Sequence, residues 1–113
     1  MANICDNKFF FQCNKNYTYY LEEFRNRIGL EEHKMCGEIT CGYENNSDDD
    51  FPDGGWLEGY FESNWNFPIE SFKDLFDKED GVYFRCLSEE YGCGYVALNV
   101  FSGFWYEEQT FDL

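Results

Sequence analysis

The stretch "GYFESNWNFPIESF" (residues 59–72) runs an alternating strand pattern straight into a proline-started helix, with no flexible joint between them. Its strand begins upstream, in "WLEGYFE" (56–62), where side chains alternate as in a half-buried strand. One face of that strand carries Trp56, Glu58, Tyr60 and Glu62. Pro68 fits the first turn of a helix because proline has a fixed φ and no N–H, and Asn66 can cap that turn. The stretch predicts a strand-to-helix corner, with a buried helical stripe of Ile69, Phe72, Leu75 and Phe76.

Upstream of this corner, the sequence indicates a strand and then a helix. "NKFFFQCN" (7–14) is typical of a strand bounded by asparagine turn residues. Its unbroken run of three phenylalanines predicts a central strand that is covered on both faces. "NYTYYLEEFRNRIG" (16–29) predicts a helix that Asn16 or Thr18 can cap and that Gly29 ends. The apolar stripe of this helix consists of Tyr17, Tyr20, Leu21, Phe24 and Ile28.

Between the two helices and after the second, the signals are those of strands and turns. "GEITCGY" (37–43) is a short strand weakened by its glycines, and "ENNSDDDFPDGG" (44–55) is an acidic loop. After Gly81, three alternating segments follow, joined by turns that contain glycine: "VYFRCLSEE", "GYVALNVF" and "FWYEEQTF". They predict a closing antiparallel meander.

This order of elements predicts a fold class. Two strand-helix-strand units with an extra edge pack most simply as an antiparallel sheet with two helices on one face. We therefore expect an α+β fold, a ferredoxin-like sandwich, formed by residues 1–113 as a single domain. The alternative is an irregular antiparallel sheet wrapped on one helix.

The charge is distributed unevenly along the chain. Eight Lys and Arg against 23 Asp and Glu leave a formal net charge of -15. Residues 1–34 hold five residues of each sign, so residues 35–113 carry the whole deficit. Such a field repels nucleic acid and anionic membrane and attracts basic surfaces. We expect no direct nucleic-acid or membrane contact and a basic protein as partner, although the charge could also serve solubility alone.

The start of the chain bears on location. "MANICDNKFFFQCNK" (1–15) lacks a basic start followed by an apolar stretch, so we expect no signal peptide and a cytoplasmic protein. In that compartment the six cysteines are expected to be reduced.

Three stretches resemble a known family. "MANICDNKFFF" (1–11) is similar to its opening, residues 59–72 to its aromatic strand with a Trp and Pro corner, and "SEEYGCGYVAL" (88–98) to its late hairpin. This is the ferredoxin-like-domain family of small plasmid and phage proteins typified by YubB. The matching positions are Asn3, Cys5, Asn7, Trp65 and Pro68, whereas Phe67 stands where many relatives have a further proline. The family has no agreed activity, and the resemblance implies a ferredoxin-like protein of a mobile element. Because no signal peptide is expected, we expect such a protein in the cytoplasm of the host cell.

The sequence contains few residue patterns that indicate metal binding or catalysis. The cysteines lie at Cys5-x7-Cys13, Cys36-x4-Cys41 and Cys86-x6-Cys93, and none of these pairs has the two-residue gap that zinc sites favour. "SDDDFPDGG" (47–55) lacks the alternating ligands of a calcium loop, and His33 is the only histidine. Paired acids such as Glu89 and Glu90 point to opposite faces of a strand. We expect no catalytic residues, no metal and no cofactor.

Exposed aromatics and carboxylates favour binding instead. Strand faces with Trp56, Tyr60, Tyr83 and Tyr95 could stack bases, although few basic residues remain to neutralise phosphates. Carboxylates among aromatics can instead occupy a basic groove in place of phosphates and bases, which is nucleic-acid mimicry. The predicted partner-binding residues are Asp48, Asp49, Asp50, Asp53, Trp56, Glu58, Tyr60, Glu62, Glu89, Glu90, Glu107 and Glu108.

The charge and the resemblance together favour an acidic mobile-element protein that is not an enzyme. We expect it to inhibit a host defence nuclease or CRISPR effector by direct binding, in the manner of an anti-CRISPR or antirestriction protein. One alternative is an immunity or antitoxin protein that neutralises a toxin nuclease, and another is an RNA-binding regulatory domain. Exposed edge strands and aromatics are also compatible with a homodimer.

Overall fold

A computed structural model gives the architecture of the chain. It describes residues 4–28, 37–44, 54–64, 67–76, 81–90, 92, 94–103 and 105–112. The elements in chain order are β1 (Ile4–Cys13), α1 (Tyr17–Arg27), β2 (Gly37–Glu44), β3 (Gly54–Asn64), α2 (Ile69–Phe76), β4 (Val82–Glu90), β5 (Tyr95–Ser102) and β6 (Trp105–Asp112). The two helices and six strands of this chain order confirm the predicted α+β class.

The strands form one six-stranded sheet in the order β2-β3-β1-β4-β5-β6. Every neighbouring pair is antiparallel, and the hairpins β4-β5 and β5-β6 form the predicted closing meander. β1 lies between β3 and β4, so its predicted central position is confirmed. The prediction that both faces of β1 are covered is wrong, because Lys8 and Gln12 are exposed on the face opposite Phe9 and Phe11.

Aromatic rings join both helices to the same face of the sheet. The ring of Phe24 in α1 stacks on Phe9 of β1 at 5.3 Å between centroids. From α2, the ring of Phe76 stacks on Phe84 of β4 at 4.7 Å and lies 5.9 Å from Phe24. Because rings of both helices contact each other and the sheet, one shared aromatic core holds the two layers together.

The corner between β3 and α2 is anchored on both sides. Phe67 is buried and stacks on Phe72 at 5.7 Å, and α2 begins at Ile69, directly after Pro68. At the end of β3, Ser63 is buried and its Oγ accepts a hydrogen bond of 2.9 Å from Nδ2 of Asn7. The join is therefore fixed by packing after it and by a buried polar contact before it. Trp65 and Asn66 lie outside the described residues.

The helices are short. α1 has 11 residues and α2 has 8. Within the described ranges, neither helix combines the length and the apolar character needed to cross a membrane.

Candidate protein-binding face

The sheet face that points away from the helices is the candidate site, and we call it the open face. It follows from the alternation of side chains along each strand and from the strand register. On the central strands it consists of Asp6, Lys8, Phe10 and Gln12 from β1, Trp56, Glu58, Tyr60 and Glu62 from β3, and Tyr83, Arg85, Leu87 and Glu89 from β4. Towards the far edge it continues with Val96, Leu98, Val100 and Ser102 from β5 and Trp105, Glu107, Gln109 and Phe111 from β6.

Two basic side chains and aromatic rings occupy the middle of the open face. The guanidinium of Arg85 lies over the ring of Phe10, 4.8 Å from its centroid, and 5.9 Å from that of Tyr83. Lys8 is paired across the strands with Tyr60 on one side and Leu87 on the other. A cation over a ring is attracted by the ring's electron density, so Arg85 and Phe10 form a cation–π pair.

Five carboxylates flank this centre on three of its four sides. Asp6 is paired with Glu62 and with Glu89, so three acids lie side by side across β3, β1 and β4. Glu58 is the cross-strand neighbour of Phe10, and Glu107 lies further along the same row, on β6. Five acids against two basic residues make the described part of the open face net acidic.

Shallow depressions in the surface lie between this centre and the acidic residue Glu58. One of about 470 Å³ is lined by Lys8, Phe9, Phe10, Glu58, Arg85, Leu87 and Leu98. A second of about 380 Å³ is lined by Lys8, Phe9, Glu58, Gly59 and Tyr60. Because they share Lys8, Phe9 and Glu58, the two form one continuous surface that a partner's side chains could enter.

The structure brings most of the described predicted residues together. Glu58, Glu62 and Tyr60 are exposed on the open face, with Tyr60 45% exposed, and Trp56 is half-buried beside them. Glu89 and Glu107 lie on the same face, on β4 and β6.

Two predicted residues lie on the other face. Glu90 is only 2% exposed, and its Oε1 accepts a hydrogen bond of 2.7 Å from the N–H of Gly92. A buried carboxylate with a hydrogen-bonding role inside the fold is not available to a partner, so Glu90 leaves the candidate set. Glu108 is exposed, but it pairs with Asn99 on the helix side of the sheet. The acidic residues Asp48, Asp49, Asp50 and Asp53 lie outside the described residues.

The centre of the open face was not predicted from the sequence. Tyr95 was expected among the stacking rings, yet it pairs with the buried Glu90 and so lies on the helix side. Phe10, Lys8 and Arg85 were not among the candidates, although the two-residue period of a strand already places Lys8 and Phe10 of "DNKFFFQ" (6–12) on the face opposite Phe9 and Phe11. The position of Arg85 beside Phe10 needs the register of β1 against β4, and that register comes from long-range pairing.

The buried cysteines are poorly suited to nucleophilic chemistry. Cys5, Cys13 and Cys86 are free thiols in the interior. Burial raises the pKa of Cys5 to about 11 and that of Cys86 to about 12, and it also raises the pKa of Cys13. Since the thiolate is the nucleophile, these side chains remain protonated and inert near neutral pH. Across the described residues, no group of three or more His, Cys, Asp or Glu side chains could hold a metal ion.

Comparisons of the chain with protein-family models, with curated proteins and with solved structures found no match. The function has to be inferred from the residues of the chain itself. The open face, with its ring-and-cation centre and its surrounding carboxylates, is the surface of the described structure with the most features of a binding site.

Proposed function

We propose that this protein binds a basic, nucleic-acid-binding protein through its open face and thereby inhibits it. The observation that carries the proposal is the set of five carboxylates that flank aromatic side chains on one sheet face. Carboxylates in such a setting can pair with the Lys and Arg that normally contact phosphates, and the rings can take the place of stacked bases. The net charge of -15 would speed the approach to a basic partner.

The biological setting is part of the proposal. A small acidic inhibitor of a host defence nuclease or CRISPR effector, encoded by a phage or plasmid, fits the charge and the resemblance to the YubB-typified family. Such a protein acts in the cytoplasm of the host cell, needs no cofactor and is not an enzyme.

The order of the first four strands bears on the type of α+β fold. β1-α1-β2 and β3-α2-β4 are two strand-helix-strand units, and their strands take the order β2-β3-β1-β4. We infer a ferredoxin-like unit of these four strands, which β5 and β6 extend on the β4 side. The extension supports the proposal because it widens the open face to include Glu107.

One observation favours RNA binding as a second candidate. Phe10, Tyr60 and Trp56 lie on the same open face as Lys8 and Arg85, and sheet faces with aromatics and basic residues stack bases in RNA-binding domains. The excess of carboxylates on this face opposes phosphate binding, which makes protein binding the stronger proposal. An immunity protein would bind a toxin nuclease through the same acidic and aromatic side chains. The identity of the captured partner, a toxin or a defence protein, distinguishes the two hypotheses.

The test is affinity capture with two matched variants. Wild-type protein, Glu58→Gln/Glu62→Gln and Glu22→Gln/Glu70→Gln are immobilised and exposed to bacterial lysate at about 50 mM salt, then washed at about 300 mM, where screening is stronger. Both variants lose two exposed carboxylates, but Glu22 and Glu70 lie on the helices. We expect the wild type to capture a nucleic-acid-binding protein that is released by duplex DNA or by the high-salt wash. The Glu22→Gln/Glu70→Gln variant should capture it as well as the wild type does, whereas the Glu58→Gln/Glu62→Gln variant should capture it poorly.

Two outcomes would count against the proposal. If both variants lose the captured protein equally, the general charge of the chain and not the open face is responsible. If the wild type recovers RNA and no protein, or binds single-stranded RNA at low ionic strength, RNA binding replaces protein binding as the proposed function.

A further inference from the structure

The outer edge of β6 is a second surface with unusual properties. β6 is the last strand in the sheet order, and of the described strands only β5 pairs with it. All seven of its described side chains are exposed, including Trp105 at 53% and Phe111 at 49%. An edge strand presents a row of unpaired N–H and C=O groups that can hydrogen-bond to another extended chain.

This edge lacks several of the features that usually prevent such pairing, and negative charge is the one that it keeps. Natural edge strands are blunted by shortness, by charged side chains, by proline or by bulges. β6 has eight residues, "WYEEQTFD", with no lysine, proline or glycine. Its register with β5 runs one to one over all eight residues, from Trp105 opposite Ser102 to Asp112 opposite Tyr95. The edge is therefore regular and long enough to accept another strand.

Charge decides which kind of strand fits. After Arg85 the chain has no basic residue but has five acidic ones, of which Glu107, Glu108 and Asp112 lie in β6. A second copy of β6 would add three more acids and no basic residue along this edge, and in the two-fold pairing centred on Glu108 this side chain would face its own copy, which is unfavourable. A basic strand would instead be attracted.

We propose that β6 accepts an extended basic segment of the partner protein as a seventh strand of the sheet. This inference rests on the proposed function, because it assumes a basic protein partner and adds the way in which that partner docks. Main-chain hydrogen bonds supply affinity in this mode, and alternate side chains supply specificity.

The side chains of β6 define the incoming segment further. Glu107 lies on the open face and Glu108 on the helix side, so their carboxylates project from both faces of the strand. A strand paired alongside them therefore needs two consecutive Lys or Arg residues, one for each face. Trp105 and Phe111 are exposed on the open face near the two ends of β6, where they can pack against apolar residues that flank the basic pair.

The first experiment uses a defined probe and amide hydrogen exchange. The probe is an eight-residue peptide with blocked ends and two central consecutive lysines flanked by threonine and valine. We expect slower exchange of the β6 amides that point away from β5, and no change in β2, the opposite edge. Two control peptides have glutamate in place of both lysines, or keep the lysines but carry N-methyl groups on alternate backbone nitrogens, and neither should give protection.

A pair of proline variants tests the same inference from the protein side. N–H groups along an antiparallel strand point alternately to the neighbour and away from it, so one of Gln109→Pro and Thr110→Pro removes only an outward donor. That variant is recognised by an unchanged Tm. We expect it to bind the lysine peptide about tenfold more weakly, which is the effect of losing one or two main-chain hydrogen bonds.

The outcomes separate this inference from the proposed function. Equal binding of the N-methylated peptide, protection at β2 in place of β6, or a stable homodimer that pairs through β6 would overturn the seventh-strand proposal. If the captured partner is lost with Glu58→Gln/Glu62→Gln but retained by the proline variant, the open face remains the binding site and only β6 is excluded. If neither change affects capture, both proposals fail.

Discussion

The Oγ of Ser88 in β4 donates a hydrogen bond of 2.6 Å to Oδ1 of Asn7 in β1, and both side chains are fully buried. The amide nitrogen of Asn7 donates to Oγ of Ser63 at 2.9 Å and to the carbonyl oxygen of Phe61 at 3.1 Å, both in β3. A single buried side chain thus links the three central strands beside the strand-to-helix corner. This is the structural reason for a serine at position 63, where the chain leaves the sheet.

Replacing Asn7 should therefore destabilise the fold. Asn7→Ala removes both halves of this network and leaves the buried hydroxyl of Ser88 without its partner on β1. A buried polar group that loses its hydrogen bond costs about 1–3 kcal/mol, and a cavity adds to that, so we expect a loss of about 3 kcal/mol in the free energy of unfolding. Urea denaturation measures this free energy of unfolding. As a control, Gln12→Ala, at an exposed position of the same strand, should change the free energy of unfolding by less than about 0.5 kcal/mol.

Asn7 also marks a limit of the sequence analysis. Asparagine is common in turns, so residue 7 was expected to bound its strand. Instead β1 begins at Ile4 and places Asn7 inside the sheet, because partners on β3 and β4 satisfy its amide. Local propensity cannot reveal such partners, since Ser63 and Ser88 are 56 and 81 residues away in the chain. The apolar alternation, in contrast, depends on nearest neighbours and correctly predicted the corner strand.

The buried thiol of Cys86 predicts a loss of stability in alkali. Burial raises its pKa from 9.0 to about 12, so the folded protein holds this proton more tightly than the unfolded chain does. The stabilisation is complete below pH 9 and is lost as the pH rises from 9 towards 12. We expect the free energy of unfolding of the wild type to fall over this window more steeply than that of Cys86→Ala. Parallel slopes for the two proteins would show that the thiol does not contribute.

The contact between Tyr106 and Asn99 predicts a measurable coupling. The hydroxyl of Tyr106 donates a hydrogen bond of 2.6 Å to Oδ1 of Asn99, which is fully buried and whose Nδ2 has no partner among the described residues. Tyr106→Phe should cost about 1 kcal/mol, the usual value of one hydrogen bond. In an Asn99→Leu background the same change should cost almost nothing, because the acceptor is gone. A double-mutant cycle by thermal or urea unfolding gives the coupling, and additive effects would contradict it.

The aromatic core predicts a contrast between two phenylalanines. Phe84 is fully buried, and the rings of Phe76, Phe72 and Phe101 lie within 6.0 Å of its centroid. Phe84→Ala should cost about 3–5 kcal/mol, as removal of a buried ring does, which is a large part of the stability of a domain this size. Phe111→Ala removes a half-exposed ring on β6 and should cost less than about 1 kcal/mol. Denaturant midpoints of the two variants test the difference.

The parts of the candidate site that could be predicted from the sequence are those that depend on residues close together in the chain. The face shared by Trp56, Glu58, Tyr60 and Glu62 follows from alternation within one strand and is confirmed by the register. Glu89 and Glu90 were both proposed as partner-binding residues, although adjacent strand residues point to opposite faces, and only the burial of Glu90 decides which one is available. The neighbours Phe10 and Arg85 are 75 positions apart in the chain and meet only through strand pairing.

The two basic residues at the centre of the open face distinguish the two candidate functions. Lys8→Gln/Arg85→Gln removes both charges and leaves the surrounding carboxylates in place. If the partner is a basic protein, this variant should bind it at least as tightly as the wild type, and about two- to fivefold more tightly at low salt, because two repulsive charges are gone. If the face binds RNA, loss of the cations should abolish binding, since they would contact the phosphates.

Titration of the captured protein and of single-stranded RNA at about 50 mM salt measures both affinities. Weaker protein binding by this variant would contradict the carboxylate-centred interface, because it would mean that the partner presents acidic groups to Lys8 and Arg85.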